Sequence, residues 1–267
     1  MDDSLPPGHH STETPARKAA DRANEAHADL FLSPDWPAPP NVHALVTTRA
    51  GGASTGPWQG LNLATHVGDD PAHVALNRAW LRAQLPAEPA WLEQVHGTDC
   101  VVAESAGATG IADASVSFEA LQVCAVLTAD CLPVLFCSDD GKVVAAAHAG
   151  WRGLLAGVLE NTLAAMHVAP LEIMAWLGPA IGPQRFEVGA EVRDLFVAQD
   201  AGAADAFVAH GDKWLADIYA LARMRLRKAG LTAIYGGGLC TVSDAERFYS
   251  YRRDGATGRM ASLIWRA

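Results

Sequence analysis

No stretch of this 267-residue chain approaches the roughly 18 consecutive apolar residues that a bilayer-spanning helix needs. The opening residues, MDDSLPPGHH, lack both the basic start and the apolar core of a secretory signal. Cysteine is scarce and unpatterned. Cys100, Cys124, Cys131, Cys137 and Cys240 make an odd count with no short regular spacing, which speaks against a disulfide framework. Together these absences point to a cytoplasmic protein with reduced thiols. Basic side chains are outnumbered, 20 Lys and Arg against 30 Asp and Glu, for a formal net charge of −10. A surface of that sign does not neutralise a phosphate backbone, so neither nucleic acid nor a membrane is an expected partner. A small anionic substrate stays compatible, because a few local arginines can line a pocket in an acidic protein.

What is present suffices for one core. Half the residues are hydrophobic and 19% are charged, ordinary proportions for a globular enzyme. At this length folding hides most of the chain without covalent staples. Residues 1–28 are rich in Pro, Ala, Asp, Glu and His and almost free of large apolar side chains. They are read as a flexible leader in which His9 and His10 belong to a solvated tail. Residues 29–267 are read as one domain, entered through the Pro-rich run Ser33–Pro40.

Strands are predicted at Val42–Thr48, Trp91–Val95, from Val101, and at Gln122–Thr128, Leu132–Cys137, Val143–Ala147, Glu172–Leu177 and Ala261–Trp265. Asp70 as N-cap and Pro71 in the first turn predict a helix through Leu85. Further helices are expected up to Met166, over Val188–Ala198, and over Lys213–Ala229. In the last of these Leu215, Ile218, Ala222 and Leu226 share a face and Gly230 ends the run. Strands and helices mixed throughout give an α/β or α+β class.

Three segments each place a metal-capable side chain where an apolar strand ends: Gln94-Val95-His96-Gly97, Ala129-Asp130-Cys131-Leu132-Pro133 and Ala147-His148-Ala149-Gly150-Trp151-Arg152-Gly153. Two imidazoles and a thiolate suit zinc or copper far better than magnesium, and three protein ligands leave one position open. The separations match no compact ligand motif. On spacing alone, a buried structural cysteine and hydrogen-bonded core histidines are the commoner outcome.

The words around these residues carry more. Thr48 to Gly52, Leu61-Asn62-Leu63, His66 to Asp69, Glu93 to Gly97, Ala112-Asp113-Ala114, Thr128 to Pro133, Ala147 to Gly153, Leu177 to Pro183, Phe248 to Gly255 and Thr257 to Ser262 follow one another in order. Read together, from about Thr47 to Trp265, they resemble the YfiH-like family. Its members are also called laccase-domain or polyphenol oxidase proteins, and are described as purine nucleoside phosphorylases. The resemblance implies a YfiH-like fold, a single domain of mixed sheets flanked by helices. It puts the metal ligands on His96, Cys131 and His148. It also implies phosphorolysis of adenosine, inosine, guanosine and methylthioadenosine, with adenosine deamination as a linked activity. One departure is visible: family members often carry cysteine after the Gly178 to Pro183 loop, where this chain has Gln184.

Such a reaction asks for cationic phosphate donors, and Arg49 and Arg152 both stand in Gly-containing loops. Deamination asks for a proton carrier, for which Asp130 and Asp113 are candidates, although Asp130 equally suits orienting a ligand. Asn62 either bonds ribose or base or stabilises its own turn, and His66 is placed to transfer protons. Arg252 is expected to be structural, and Arg253 is left open. Two rivals use the same residues. One is a copper-dependent polyphenol oxidase. The other is a Cys–His hydrolase of amide-like bonds in cell-wall precursors, with Cys131 as nucleophile and His148 or His96 as base.

Overall fold

The apolar runs that read as strands pair into two large mixed sheets. The computed structural model describes residues 30–103 and 110–267, and the leader expected over residues 1–28 lies outside the described residues. One sheet has the order β1 (Phe31–Leu32), β2 (Val42–Thr47), β14 (Met260–Arg266), β6 (Val123–Thr128), β3 (Pro89–Ala90). The other runs β13 (Ala233–Gly236), β9 (Ile173–Leu177), β7 (Leu132–Ser138), β8 (Val144–Ala149), β5 (Ala114–Ser117), β4 (Cys100–Val102). A small third sheet joins β10 (Glu187–Val188), β12 (Lys213–Ala216) and β11 (Phe207–His210).

The two large sheets bury their inner faces against each other. Val46, Val126 and Ile264 from the first meet Leu135, Val144, Ala146 and Trp176 from the second. β8 is buried along its whole length, and its small residues Ala145, Ala146 and Ala147 let neighbours approach closely on both faces. Helices cover the outer faces. α1 (Pro71–Arg82) lays Leu81 on Val123, Ala125 and Leu263 of the first sheet. α2 (Trp151–Ala156), α3 (Val158–Met166) and α5 (Ile218–Lys228) cover the second through Leu154, Leu163 and Leu226. α4 (Ala190–Gln199) adds Val192 and Phe196 to that core, and α6 (Tyr251–Asp254) is a single turn. Among the described residues no helix is long and apolar enough to cross a membrane.

Local chemistry explains where the expected elements stand and where they do not. Asp70 caps α1 by accepting from the Ala72 N–H, and Pro71 opens the helix, which ends at Arg82 rather than Leu85. The helix expected over Lys213–Ala229 begins only at Ile218. Asp217 caps it by accepting from the Ala220 N–H, and Lys213–Ala216 pairs as β12, with Val208 opposite Leu215. Residues 91–95 form no strand beyond a single bridge from Glu93 to Ile111, because the following amides turn toward a carboxylate described below. The helix expected from Val188 starts at Ala190, and Val188 pairs with Trp214 instead.

The helical run to Met166 breaks at Gly157, which closes α2 and opens α3 at φ 108° and ψ 27°. A methyl group there would meet nothing closer than Glu160 Oε2 at 3.6 Å, so its cost is conformational rather than steric. Gly157→Ala is expected to destabilise the fold by about 1–3 kcal/mol, the cost of holding a non-glycine residue in such backbone. Urea unfolding of both proteins measures it, and an unchanged midpoint would refute it.

Candidate metal centre

Each donor is aimed by its backbone. His96 sits in a tight turn at φ 59°, unusual for a residue with a side chain. That turn lets three successive amides, of Val95 (3.1 Å), His96 (3.0 Å) and Gly97 (2.6 Å), donate to the Asp113 carboxylate. Gln94 pins the same segment to β6, its amide donating to Leu127 O (2.9 Å) while its carbonyl accepts from Leu127 N–H (2.7 Å). Asp130, at φ 97°, makes the turn from β6 into β7 and delivers Cys131 to the head of β7. His148 lies within β8, nearly wholly buried.

Asp113 also takes the His148 ring. Its Oδ1 stands 2.7 Å from His148 Nδ1. Burial works against the Asp113 charge, but the His148 ring and the Gly97 and Val95 amides more than offset it and leave its pKa low. An ionised Asp113 fixes the proton on Nδ1 and frees Nε2 for other work. Cys131 Sγ lies 3.7 Å from His96 Nε2, and the three donor atoms of His96, Cys131 and His148 all fall within 4.8 Å of one another. Burial opposes the Cys131 thiolate, yet the charge and hydrogen bond of His148 and the His96 ring outweigh it and bring the thiol down to about 6.

The residues fit a metal ion. Two neutral-capable imidazoles and a thiolate converge with one side open, and the ring behind one of them is tied to a carboxylate, the usual support of a metal-bound histidine. The corner is kept clear by Gly150, where a Cβ would sit 2.8 Å from His96 Cδ2 and 3.0 Å from Cys131 Sγ.

The open side faces a cleft of about 400 Å³. His66, Arg152 and Arg259 line it together with Ile181, Phe186 and Ile218, so charged and apolar side chains share one cavity. Its size suits a small molecule. Arg152 stacks over the Trp151 ring at 4.4 Å. The pKa of His66 is lowered by burial and by the nearby Arg259 and Arg78.

The expected site residues divide. His96, Cys131, His148, His66, Arg152 and Asp130 all line the cleft. Arg49 does not. Its guanidinium stacks on Tyr249 and donates to Ala245 O, beside a separate shallow depression. Asn62 is buried away from the cleft, bonding Ala64, Asp69 and the Arg259 amide, so it shapes a turn. Asp130 has both oxygens engaged, by the Thr241 hydroxyl (2.6 Å) and the Arg252 amide (2.6 Å). Arg252 also lines the cleft and donates to Glu187 O, while Arg253 donates to the carbonyls of Thr241, Val242 and Phe248 and to the Asp254 carboxylate. Arg259, Phe186 and Ile218 were missed. Phe186 and Ile218 come from segments outside the recognised words, and Arg259, inside the Thr257 to Ser262 word, was not singled out there.

The profile of the family described as multi-copper polyphenol oxidoreductase laccase matches residues 43–267. The chain is 57% identical to purine nucleoside phosphorylase YfiH of Escherichia coli over 238 residues, covering 88% of this chain and 98% of that one. A Pseudomonas aeruginosa protein also named purine nucleoside phosphorylase is 56% identical over 239 residues, 89% of this chain and 98% of its own. Among solved structures, a Neisseria meningitidis protein of the family labelled DUF152 superposes with a TM-score of 0.86 at 56% identity, covering 89% and 99% of the two chains. YlmD from Geobacillus stearothermophilus gives 0.82 at 31% identity over 88% and 96%.

Purified protein is expected to carry about one metal ion per chain, as three converging donors imply, and Cys131→Ala to lose it. Asp113→Asn keeps all three donors but is expected to weaken metal affinity about 10- to 100-fold through lost support of His148 and the His96 turn. Competition with a calibrated chelator reads both, and full affinity in Asp113→Asn would contradict the role given to that carboxylate.

Proposed function

The chain belongs to the family described as multi-copper polyphenol oxidoreductase laccase, and we propose that it works as a purine nucleoside phosphorylase, a glycosyltransferase-class enzyme, at the His96–Cys131–His148 centre. Its relatives at 56–57% identity carry that name over nearly their whole length. The observation that carries the reading within this chain is the mixed cleft, whose lining brings a three-donor centre together with arginines and apolar side chains.

Phosphorolysis moves the ribosyl group from the purine nitrogen to a phosphate oxygen. The carbon–oxygen bond forms as the carbon–nitrogen bond breaks, and the electron pair leaves with the base, which then takes up a proton. Charge separates on the way, so fixed cationic donors and a dry wall for the base both lower the barrier. Arg152 offers a fork of N–H donors to phosphate, pre-positioned by its stacking on Trp151. Ile181, Phe186 and Ile218 present the apolar face against which a purine packs. His66, held neutral, offers one donor and one acceptor to the nucleoside. When bound, a zinc ion supplies Lewis acidity at the open coordination position. Linked deamination of adenosine needs a proton carrier in the cleft. With Asp130 and Asp113 committed to other bonds, that role falls to His66.

We assign zinc rather than copper. Among the described residues His96, Cys131 and His148 form the one His, Cys, Asp or Glu group of this kind, whereas oxygen reduction in a laccase needs a further multi-histidine cluster. A cytoplasmic setting, in which thiols stay reduced and phosphate is abundant, suits the five free cysteines. One observation favours a second reading. His148 stands between Asp113 and Cys131 as the base of a Cys–His hydrolase would.

Release of free base from adenosine or inosine is expected only with phosphate present, with ribose 1-phosphate as co-product; equal release in phosphate-free buffer would instead support the hydrolase. At saturating phosphate, kcat/KM for nucleoside is expected to fall as pH drops through the His66 pKa, which lies below the usual 6.5 of the free imidazole. His66→Gln, unable to titrate there, should flatten that acid limb, and an acid limb unchanged in the variant would remove His66 from the reaction.

A further inference from the structure

One arginine of the cleft has only part of its guanidinium engaged. Arg259 precedes β14 and lines the cleft beside the metal centre. Its amide is held by Asn62 Oδ1 at 3.0 Å, so its main chain is fixed. Its Nη1 donates to Thr257 O (3.0 Å) and Gly258 O (2.9 Å). Nε and Nη2 make no hydrogen bond among the described residues, and no described carboxylate stands within ion-pairing distance. Asp130, whose charge it feels, is already taken up by Thr241 and the Arg252 amide. Burial pushes the guanidinium pKa down, the sign of a cation held partly out of water without full compensation.

Other buried or half-buried arginines are spent differently. Arg225 pairs with Glu160 at 2.7 Å, Arg253 is taken up by carbonyls and the Asp254 carboxylate, and Arg78 donates to Leu63 O and stacks on Trp91. Next to Arg259 stands a second unmet donor. Thr128 pairs with Met260 in the β6–β14 ladder, one residue along from Arg259, and it too lines the cleft. It is 2% exposed, and its Oγ1 has no hydrogen-bond partner among the described residues. A half-free guanidinium fork just before β14 and a buried hydroxyl at the end of β6 complement a small anion bearing several acceptor oxygens.

We propose that Arg259, assisted by the Thr128 hydroxyl, binds the phosphate co-substrate, on the opposite chain segment from Arg152. The two arginines then grip the anion from the residue before β14 and from α2, while Arg49, outside the cleft, takes no part. The proposal rests on the phosphorolysis reading and sharpens it. A competing role for Arg259 is to neutralise the Cys131 thiolate, whose charge it also feels. That role predicts loss of metal or of thiolate character, not loss of phosphate.

The test uses metal-loaded protein and the variants Arg259→Lys, Arg259→Gln and Thr128→Val, with inorganic phosphate as the probe. In the Arg259 variants KM for phosphate is expected to rise about 10- to 100-fold, the weight of hydrogen bonds from a charged group, with KM for nucleoside changed less than about twofold. Thr128→Val should raise KM for phosphate by a smaller factor. The rise in Tm that phosphate gives the wild type should shrink in the Arg259 variants while metal content stays constant. An unchanged KM for phosphate, or loss of metal in step with activity, would overturn the proposal. If the wild type releases base without phosphate, the phosphorylase reading fails. The phosphate-induced Tm shift then still decides whether Arg259 binds the anion.

Discussion

The Asp113 carboxylate, accepting three amide hydrogen bonds from Val95, His96 and Gly97 and a fourth from His148, is the interaction on which the centre depends. Hydrogen bonds to a buried charge are among the stronger ones a protein makes, and here four of them converge on one group. They stabilise the left-handed backbone of His96, which a residue with a Cβ avoids when nothing holds it. They also choose the tautomer of His148. Remove the carboxylate and two of the three donors lose their aim while keeping their identity.

Much of the fold was legible in the chain because its signals are local. Asp70-Pro71 announces α1, and the apolar runs around Val126, Leu135 and Ala145 announce β6, β7 and β8. The errors arise where distant partners decide. Lys213–Ala216 carries a helix-like spacing of Leu215 and Ile218, yet Asp217 prefers to cap and β11 supplies a strand to pair with. Trp91–Val95 has the composition of a strand, but the Asp113 carboxylate, far along the chain, recruits the amides at its end. The donors themselves were found through the words around them, since their separations follow from sheet topology and not from any turn. Arg49 and Asn62 show the limit of that route. Both occur in family words, and both serve the scaffold.

The cleft reconciles an acidic protein with an anionic co-substrate. A net charge of −10 would repel phosphate from an average patch of surface. Inside the cleft the balance reverses, because Arg152, Arg252 and Arg259 line it against the single carboxylate of Asp130, which already accepts from the Thr241 hydroxyl and the Arg252 amide. The thiolate of Cys131 also faces that space, and a bound cation would neutralise it.

The donors also come from different layers. Gln94 ties the His96 segment to β6 in the five-stranded sheet, His148 belongs to β8 in the six-stranded sheet, and Cys131 opens β7 just past the turn that crosses from one sheet to the other. An ion held by all three would therefore rivet the seam of the sandwich, much as a disulfide does elsewhere. Chelation would then loosen the joint between the layers before it touched either layer's own hydrogen-bonded ladder, so that the same cation serving the chemistry also reports whether the two halves of the molecule have met.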